Sequence, residues 1–212
     1  MSISFFVTML EMIGSAAFAV SGVVVAKTKK MDIFGAVILG CMTAVGGGFI
    51  RDLILGIHPP LLFLHPSYVL CAFVFSIITF LIEYTGADRF SRHKSFSDLL
   101  LNVTDTLGLA IFAVMGARTA MENGYVDNRF LCIFVGTLTG IGGGILRDML
   151  AGEMPLIMRS RVYGVAALLG AMIFVYAYSV FGELNAMVCS FVVTVTIRYC
   201  AIHYRWNLPR LK

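Results

Sequence analysis

Charge is what this chain has least of. Only 13% of its 212 residues are Asp, Glu, Lys or Arg, about half of what a soluble domain carries (roughly 25%). So few charges cannot cover a water-exposed surface. The sequence contains no His-Glu-x-x-His and no Gly-x-Ser-x-Gly, so two common hydrolytic constellations are missing. The five cysteines, Cys41, Cys71, Cys132, Cys189 and Cys200, are odd in number, lie inside apolar runs and lack metal-ligand spacing. They are expected to pack as small apolar side chains rather than to form disulfides or bind metal. Basic residues form no cluster with interleaved aromatics, which argues against nucleic acid despite a formal charge of +4. No basic n-region precedes the first apolar run, so no signal peptide is expected. The last apolar run contains no lysine, so it offers no Schiff-base site for a chromophore.

What fills the chain instead is apolar: 59% of it. Seven runs stand out, near residues 3–26, 33–55, 66–84, 99–120, 129–151, 160–181 and 183–203. Each has about the 20 residues needed to cross a bilayer. The sixth and seventh nearly touch, so Phe181-Gly182-Glu183 has to be a tight turn. An all-α integral membrane protein of seven helices is predicted. The loop cations give its orientation, because cytoplasmic loops collect Lys and Arg. Lys27, Lys29, Lys30, Arg89, Arg92, Lys94, Arg159, Arg161, Arg205, Arg210 and Lys212 fall on one side, against Arg118 and Arg129 on the other. The N-terminus is expected outside and the C-terminus in the cytoplasm.

An internal repeat organises these spans. Gly40-Cys-Met-Thr43-Ala-Val-Gly46-Gly47-Gly48-Phe-Ile-Arg51-Asp52 and Gly56 recur as Gly136-Thr-Leu-Thr139-Gly-Ile-Gly142-Gly143-Gly144-Ile-Leu-Arg147-Asp148 and Gly152. Pro59 and Pro155 keep the same spacing. Upstream, Glu11, Gly14, Phe18-Ala19-Val20 and Gly22 match Asp105, Gly108, Phe112-Ala113-Val114 and Gly116 after a two-residue slip in the intervening loop. Each unit has three spans, an odd number, so the second enters the membrane from the opposite side: an inverted repeat. The expected division is residues 1–97 as the first unit, 98–182 as the second, inverted unit, and 183–212 as a seventh helix with a cytoplasmic tail.

Three consecutive glycines in a helix each cost roughly 1 kcal/mol relative to alanine. Irregular backbone at membrane depth is tolerated where it lines a cavity or is buried in protein, and matched helix interruptions in inverted halves point to a binding or permeation site. Kinks at both triplets are therefore expected, with carbonyls of Gly46, Gly47, Gly48, Gly142, Gly143 and Gly144 lining a pathway and Thr43 and Thr139 one turn before. Close packing through small residues is the competing use of glycine; it is expected for isolated cases such as Gly14 with Ala17 or Gly40 with Ala44.

Charges inside spans are costly, about 2.5–3.5 kcal/mol for an arginine on insertion scales, and so need partners. Arg51 and Asp52 are neighbours about 100° apart on a helix, which makes them poor partners for each other. The expected pairs are Glu11 with Arg51 and Asp105 with Arg147, one toward each end of the pathway. Arg198, late in the last span, is expected to snorkel to the cytoplasmic face. His58 and His65, between prolines in an outer loop, are expected to be solvated.

Two three-span units, each with Gly-Gly-Gly-x-x-Arg-Asp closing its second helix, plus one added span, resemble the prokaryotic trimeric intracellular cation (TRIC) channels. The bacterial members are also described as carrying two "glycine transporter" domains. The resemblance runs from residue 3 to about 203. It implies a homotrimer in the cytoplasmic membrane, with an hourglass pore in each subunit for monovalent cations, mainly potassium with some sodium. It also implies no enzymatic activity and no cofactor beyond the permeant ions and bound lipid. Carried over, the pore motifs are Gly46-Gly47-Gly48 with Arg51-Asp52 and Gly142-Gly143-Gly144 with Arg147-Asp148. The basic tail and lysine motif of animal members are missing, so their regulation is not expected here. A secondary transporter for glycine or a similar small zwitterion fits the same inverted repeat, since an arginine and a carboxylate can hold its two charges.

Overall fold

A computed structural model describes residues 3–85, 94–159 and 162–206. Of the loop cations named above, Arg89, Arg92, Arg161, Arg210 and Lys212 lie outside the described residues. Among the described residues, seven helices are long and apolar enough to span a membrane. In chain order the helices are α1 (Ile3–Thr28), α2 (Ile33–Leu55), α3 (Leu61–Leu64), α4 (Ser67–Tyr84), α5 (Lys94–Ala120), α6 (Arg129–Leu150), α7 (Leu156–Arg159), α8 (Tyr163–Phe181) and α9 (Glu183–His203). A π-helical turn, Met121–Tyr125, extends α5. The sequence places the spans to within a few residues. Gly182, at φ 78°, makes the expected one-residue turn between α8 and α9.

The repeat governs the ends of the two central helices. Asp32 caps α2 by accepting from Gly35 N at 2.7 Å, and Asn128 caps α6 by accepting from Leu131 N at 3.0 Å. Gly56 and Gly152 follow their C-termini at φ 68° and 67°, left-handed positions that favour glycine. The short helices α3 and α7 come next at equivalent places.

α2 and α6 cross at the centre, each packed against the first helix of its own unit and with α1 against α5. α4 flanks the first unit and α8 the second. α9 packs mainly on α8 and α5 of the second unit, where Ser190 Oγ donates to Gly170 O at 2.7 Å. Large apolar side chains such as Phe34, Leu70, Ile82, Val180 and Val192 face outward, as a lipid solvent requires. The cysteines are free thiols, and Cys189 faces outward rather than into the core.

The glycine triplets do not interrupt their helices: α2 and α6 run unbroken through Gly46–Gly48 and Gly142–Gly144. What the triplets permit is contact. A Cβ on Gly47 would sit 2.2 Å from the Thr139 carbonyl oxygen, and one on Gly143 would sit 2.2 Å from that of Thr43. The two contacts are images of each other through the repeat. Helix backbones touching over small residues gain dispersion and weak C–H···O contacts. That gain offsets the propensity cost that argued for a break. The packing use expected for isolated glycines thus extends to the triplets. Phe18 and Phe112, also repeat partners, stack beside this crossing with centroids 5.4 Å apart.

Candidate functional site

The charged dipeptides at the ends of α2 and α6 do two jobs each. Arg51 donates from Nε to Asp52 Oδ1 at 2.8 Å, and Arg147 from Nε to Asp148 Oδ1 at 2.9 Å. The other carboxylate oxygen accepts from the first amide of the following short helix: Leu61 N to Asp52 Oδ2 at 2.7 Å, and Leu156 N to Asp148 Oδ2 at 2.8 Å. Neighbours about 100° apart thus do pair, contrary to expectation. The three-carbon stem of arginine lets the guanidinium fold back over the carboxylate, which the short helix fixes in place.

The Asp105–Arg147 pair forms as expected, Nη1 to Oδ1 at 2.6 Å, with both residues fully buried. Arg147 Nη1 also donates to Ser21 Oγ at 3.0 Å, which ties the second unit to α1. The Glu11–Arg51 pair does not form among the described residues. Glu11 instead accepts from Tyr68 Oη at 2.5 Å, and Arg51 is held by Asp52. Tyr68 is the first residue here that sequence reasoning missed; its repeat counterpart, Tyr163, is the second. The repeat itself would have flagged both, since they lie at the starts of α4 and α8. Arg198 does not snorkel: it is 2% exposed, and its Cζ lies 4.8 Å from the centroid of the Tyr163 ring. A cation stacked on an aromatic face inside the fold needs no headgroup.

The two ends of the molecule therefore differ. On the Arg51 side a cavity of about 330 Å³ descends between α1, α2, α4 and α5. Its charged lining consists of Glu11, Asp52 and Glu122 against Arg51 and Arg118, with His65, Tyr68, Gly48, Phe112, Thr119 and Asn123 beside them. The π-turn after α5 carries Glu122 and Asn123 into this wall. Arg118 binds Glu122 at 2.7 Å and Glu183 at 2.7 Å, joining the wall to the start of α9. Lining carboxylates outnumber lining guanidinium groups, so the field at this mouth favours cations. On the Arg147 side, Asp105, Arg147, Asp148 and Tyr163 are all buried.

Of the site residues expected from sequence, Glu11, Gly48, Arg51 and Asp52 line the cavity. Gly46, Gly47, Gly142 and Gly143 lie in the buried contact between α2 and α6, and Gly144 lies beside Tyr163. Thr43 and Thr139 are buried and return their hydroxyls to their own helices, at Leu39 O (2.6 Å) and Val135 O (2.7 Å). Asp105, Arg147 and Asp148 form the sealed cluster. Among the described residues no group of His, Cys, Asp and Glu is placed to hold a metal ion.

Seven apolar spans in two inverted units, crossing at paired glycines with buried charges at each end, define a polytopic membrane protein of the channel-or-transporter type. Comparison with known proteins narrows this. The family described as Glycine transporter matches the chain twice, over residues 8–84 and 102–179. The inner membrane protein YadS of Escherichia coli strain K12 is 36% identical over 202 residues, covering 94% of this chain and 93% of YadS. The crystal structure of a prokaryotic TRIC channel in 0.5 M KCl superposes with a TM-score of 0.87 at 30% identity, covering 97% of this chain and 100% of the other. The TRIC trimeric intracellular cation channel orthologue from Rhodobacter sphaeroides superposes with a TM-score of 0.84 at 36% identity, covering 95% and 99%. The chain belongs to the prokaryotic TRIC family and carries the glycine transporter domain twice.

Proposed function

We propose that this chain is a passive channel for monovalent cations, potassium with some sodium, and not an enzyme. The observation that carries the reading is the end-to-end likeness to a TRIC channel at a TM-score of 0.87. The site's electrostatics support it. The mouth on the Arg51 side is acidic on balance, and the one guanidinium that would most oppose cations there is neutralised by Asp52 at 2.7 Å. The pathway runs from this cavity past Gly48 toward the crossing of α2 and α6. Conduction requires the Phe18–Phe112 stack and the Arg147 cluster to give way, so this conformation is a closed state. The assembly is a homotrimer with one pathway per subunit, in the cytoplasmic membrane among lipid, with the N-terminus outside and the C-terminus inside.

The unequal ends also favour a second reading. One half open to solvent and its inverted image shut is what alternating access produces, so a transporter for glycine or a similar zwitterion is the alternative. Planar-bilayer recording under a potassium chloride gradient separates the two. Unitary currents reversing near the potassium potential, altered by Gly48→Val at the cavity wall, establish the channel. A silent bilayer with saturable glycine uptake in liposomes overturns it in favour of the transporter.

A further inference from the structure

The seventh spanning helix has no counterpart in the repeat, yet it reaches the most deeply buried polar cluster. Arg198 comes from α9, its Nε donates to Thr106 Oγ1 at 3.4 Å, and its guanidinium covers the ring of Tyr163. Tyr163 is 2% exposed; its hydroxyl lies near the Asp105 carboxylate, the repeat partner of Glu11, but makes no hydrogen bond of ordinary geometry to it. The hydroxyl occupies the space that a side chain on Gly144 would take: a Cβ there would lie 2.8 Å from Oη. Beside it stands the Asp105–Arg147 pair.

The inverted image behaves differently. Tyr68 is tied by its hydroxyl to Glu11, and no arginine lies over its ring among the described cation–ring contacts. Gly48, the counterpart of Gly144, faces the cavity; the atom nearest to where its Cβ would stand is Arg51 Nη2, at 3.7 Å. Two halves built from the same repeat thus differ in how the tyrosine is held. On one side a hydrogen bond anchors it at the cavity wall. On the other a cation from the added helix presses it inward against a glycine. A desolvated cation–π contact is strong enough to set that difference.

We propose that Arg198 is a positioning residue that acts through Tyr163 to keep the Arg147 side of the pathway shut, making α9 the element that breaks the functional symmetry of the repeat. Without Arg198, Tyr163 is free to leave Gly144, and the Arg147 side opens as the Arg51 side does. This inference rests on the channel reading.

The test is single-channel recording of wild type, Arg198→Gln, Arg198→Lys and Thr106→Val. Arg198→Gln should raise the open-to-closed ratio by roughly thirtyfold, the scale of a desolvated cation–π contact of about 2 kcal/mol. Unitary conductance and reversal potential should stay as in wild type, since Arg198 does not line the cavity. Arg198→Lys, which keeps the cation, should recover most of the closed time. A merely structural role would lower stability without this split between gating and conductance. Unchanged gating in Arg198→Gln overturns the proposal. If that variant does not fold, Thr106→Val decides: a raised ratio supports the proposal and an unchanged one overturns it. A wild-type chain that passes no current overturns the channel reading itself, and this inference with it.

Discussion

Two adjacent glycines of one triplet should respond to alanine with opposite signs. At Gly47 an added Cβ falls 2.2 Å from the Thr139 carbonyl oxygen and 3.3 Å from Gly143 N. Both are backbone atoms of α6, so no side chain can step aside. An ordinary carbon–oxygen contact is about 3.4 Å or more, so α2 and α6 must part by about 1 Å at their crossing. Overpacking of this kind costs about 1–3 kcal/mol, and the glycine-to-alanine gain in helix propensity returns about 1 kcal/mol. Gly47→Ala should therefore destabilise, by up to about 2 kcal/mol. At Gly48 the nearest atom to the new Cβ is Arg51 Nη2 at 3.7 Å. Only the propensity gain applies there, so Gly48→Ala should be neutral or stabilising by up to about 1 kcal/mol. Gly143→Ala meets the Thr43 carbonyl at 2.2 Å and should match Gly47→Ala. Once one substitution has spread the helices the second has less to displace, so the double variant should cost less than the sum of the singles. Reversible unfolding in mixed detergent–SDS micelles, followed by far-ultraviolet circular dichroism, measures all four. Equal effects at Gly47 and Gly48, or a stabilised Gly47→Ala, would refute the close crossing.

Four further outcomes are expected. Asp105→Asn leaves Arg147 buried with Asp148 as its one remaining carboxylate, and should destabilise by about 3 kcal/mol in the same unfolding assay. Glu11→Gln keeps a hydrogen-bond acceptor for Tyr68 and should cost about 1 kcal/mol or less; the charge swap Glu11→Arg with Arg51→Glu should restore nothing lost in the singles, because Arg51 is bound to Asp52. Glu122→Gln removes a lining carboxylate, so single-channel potassium current at low salt should fall and the difference should shrink as ionic strength rises.

Much of this architecture is legible in the sequence because lipid leaves few choices. Span number and limits follow from the length of apolar runs, since an unpaired backbone cannot remain in hydrocarbon. The inverted repeat follows from matched residues and an odd span count. The Asp105–Arg147 pair follows from the cost of burying an arginine alone. Gly182 had to turn because two spans left it one residue in which to do so.

Other features depend on what each residue meets across the fold, which no one-dimensional pattern contains. Triple glycine reads equally as a broken helix or as a helix with a bare flank; only the reciprocal approach of Gly47 to Thr139 and Gly143 to Thr43 decides for the flank. Glu11 and Asp105 are repeat partners, yet one binds a tyrosine and the other an arginine. The difference lies in surroundings the repeat does not share: the cavity beside Glu11, and Ser21 beside Arg147. Arg198 reads as a snorkelling end residue until α9 is docked on α8 and α5, which turns it inward onto Tyr163. Local pattern sets which segments cross the membrane and how they are related. Tertiary packing decides which of two equivalent charge clusters faces water and which is sealed, because burial and partner choice are properties of neighbouring helices and not of the segment that carries the charge.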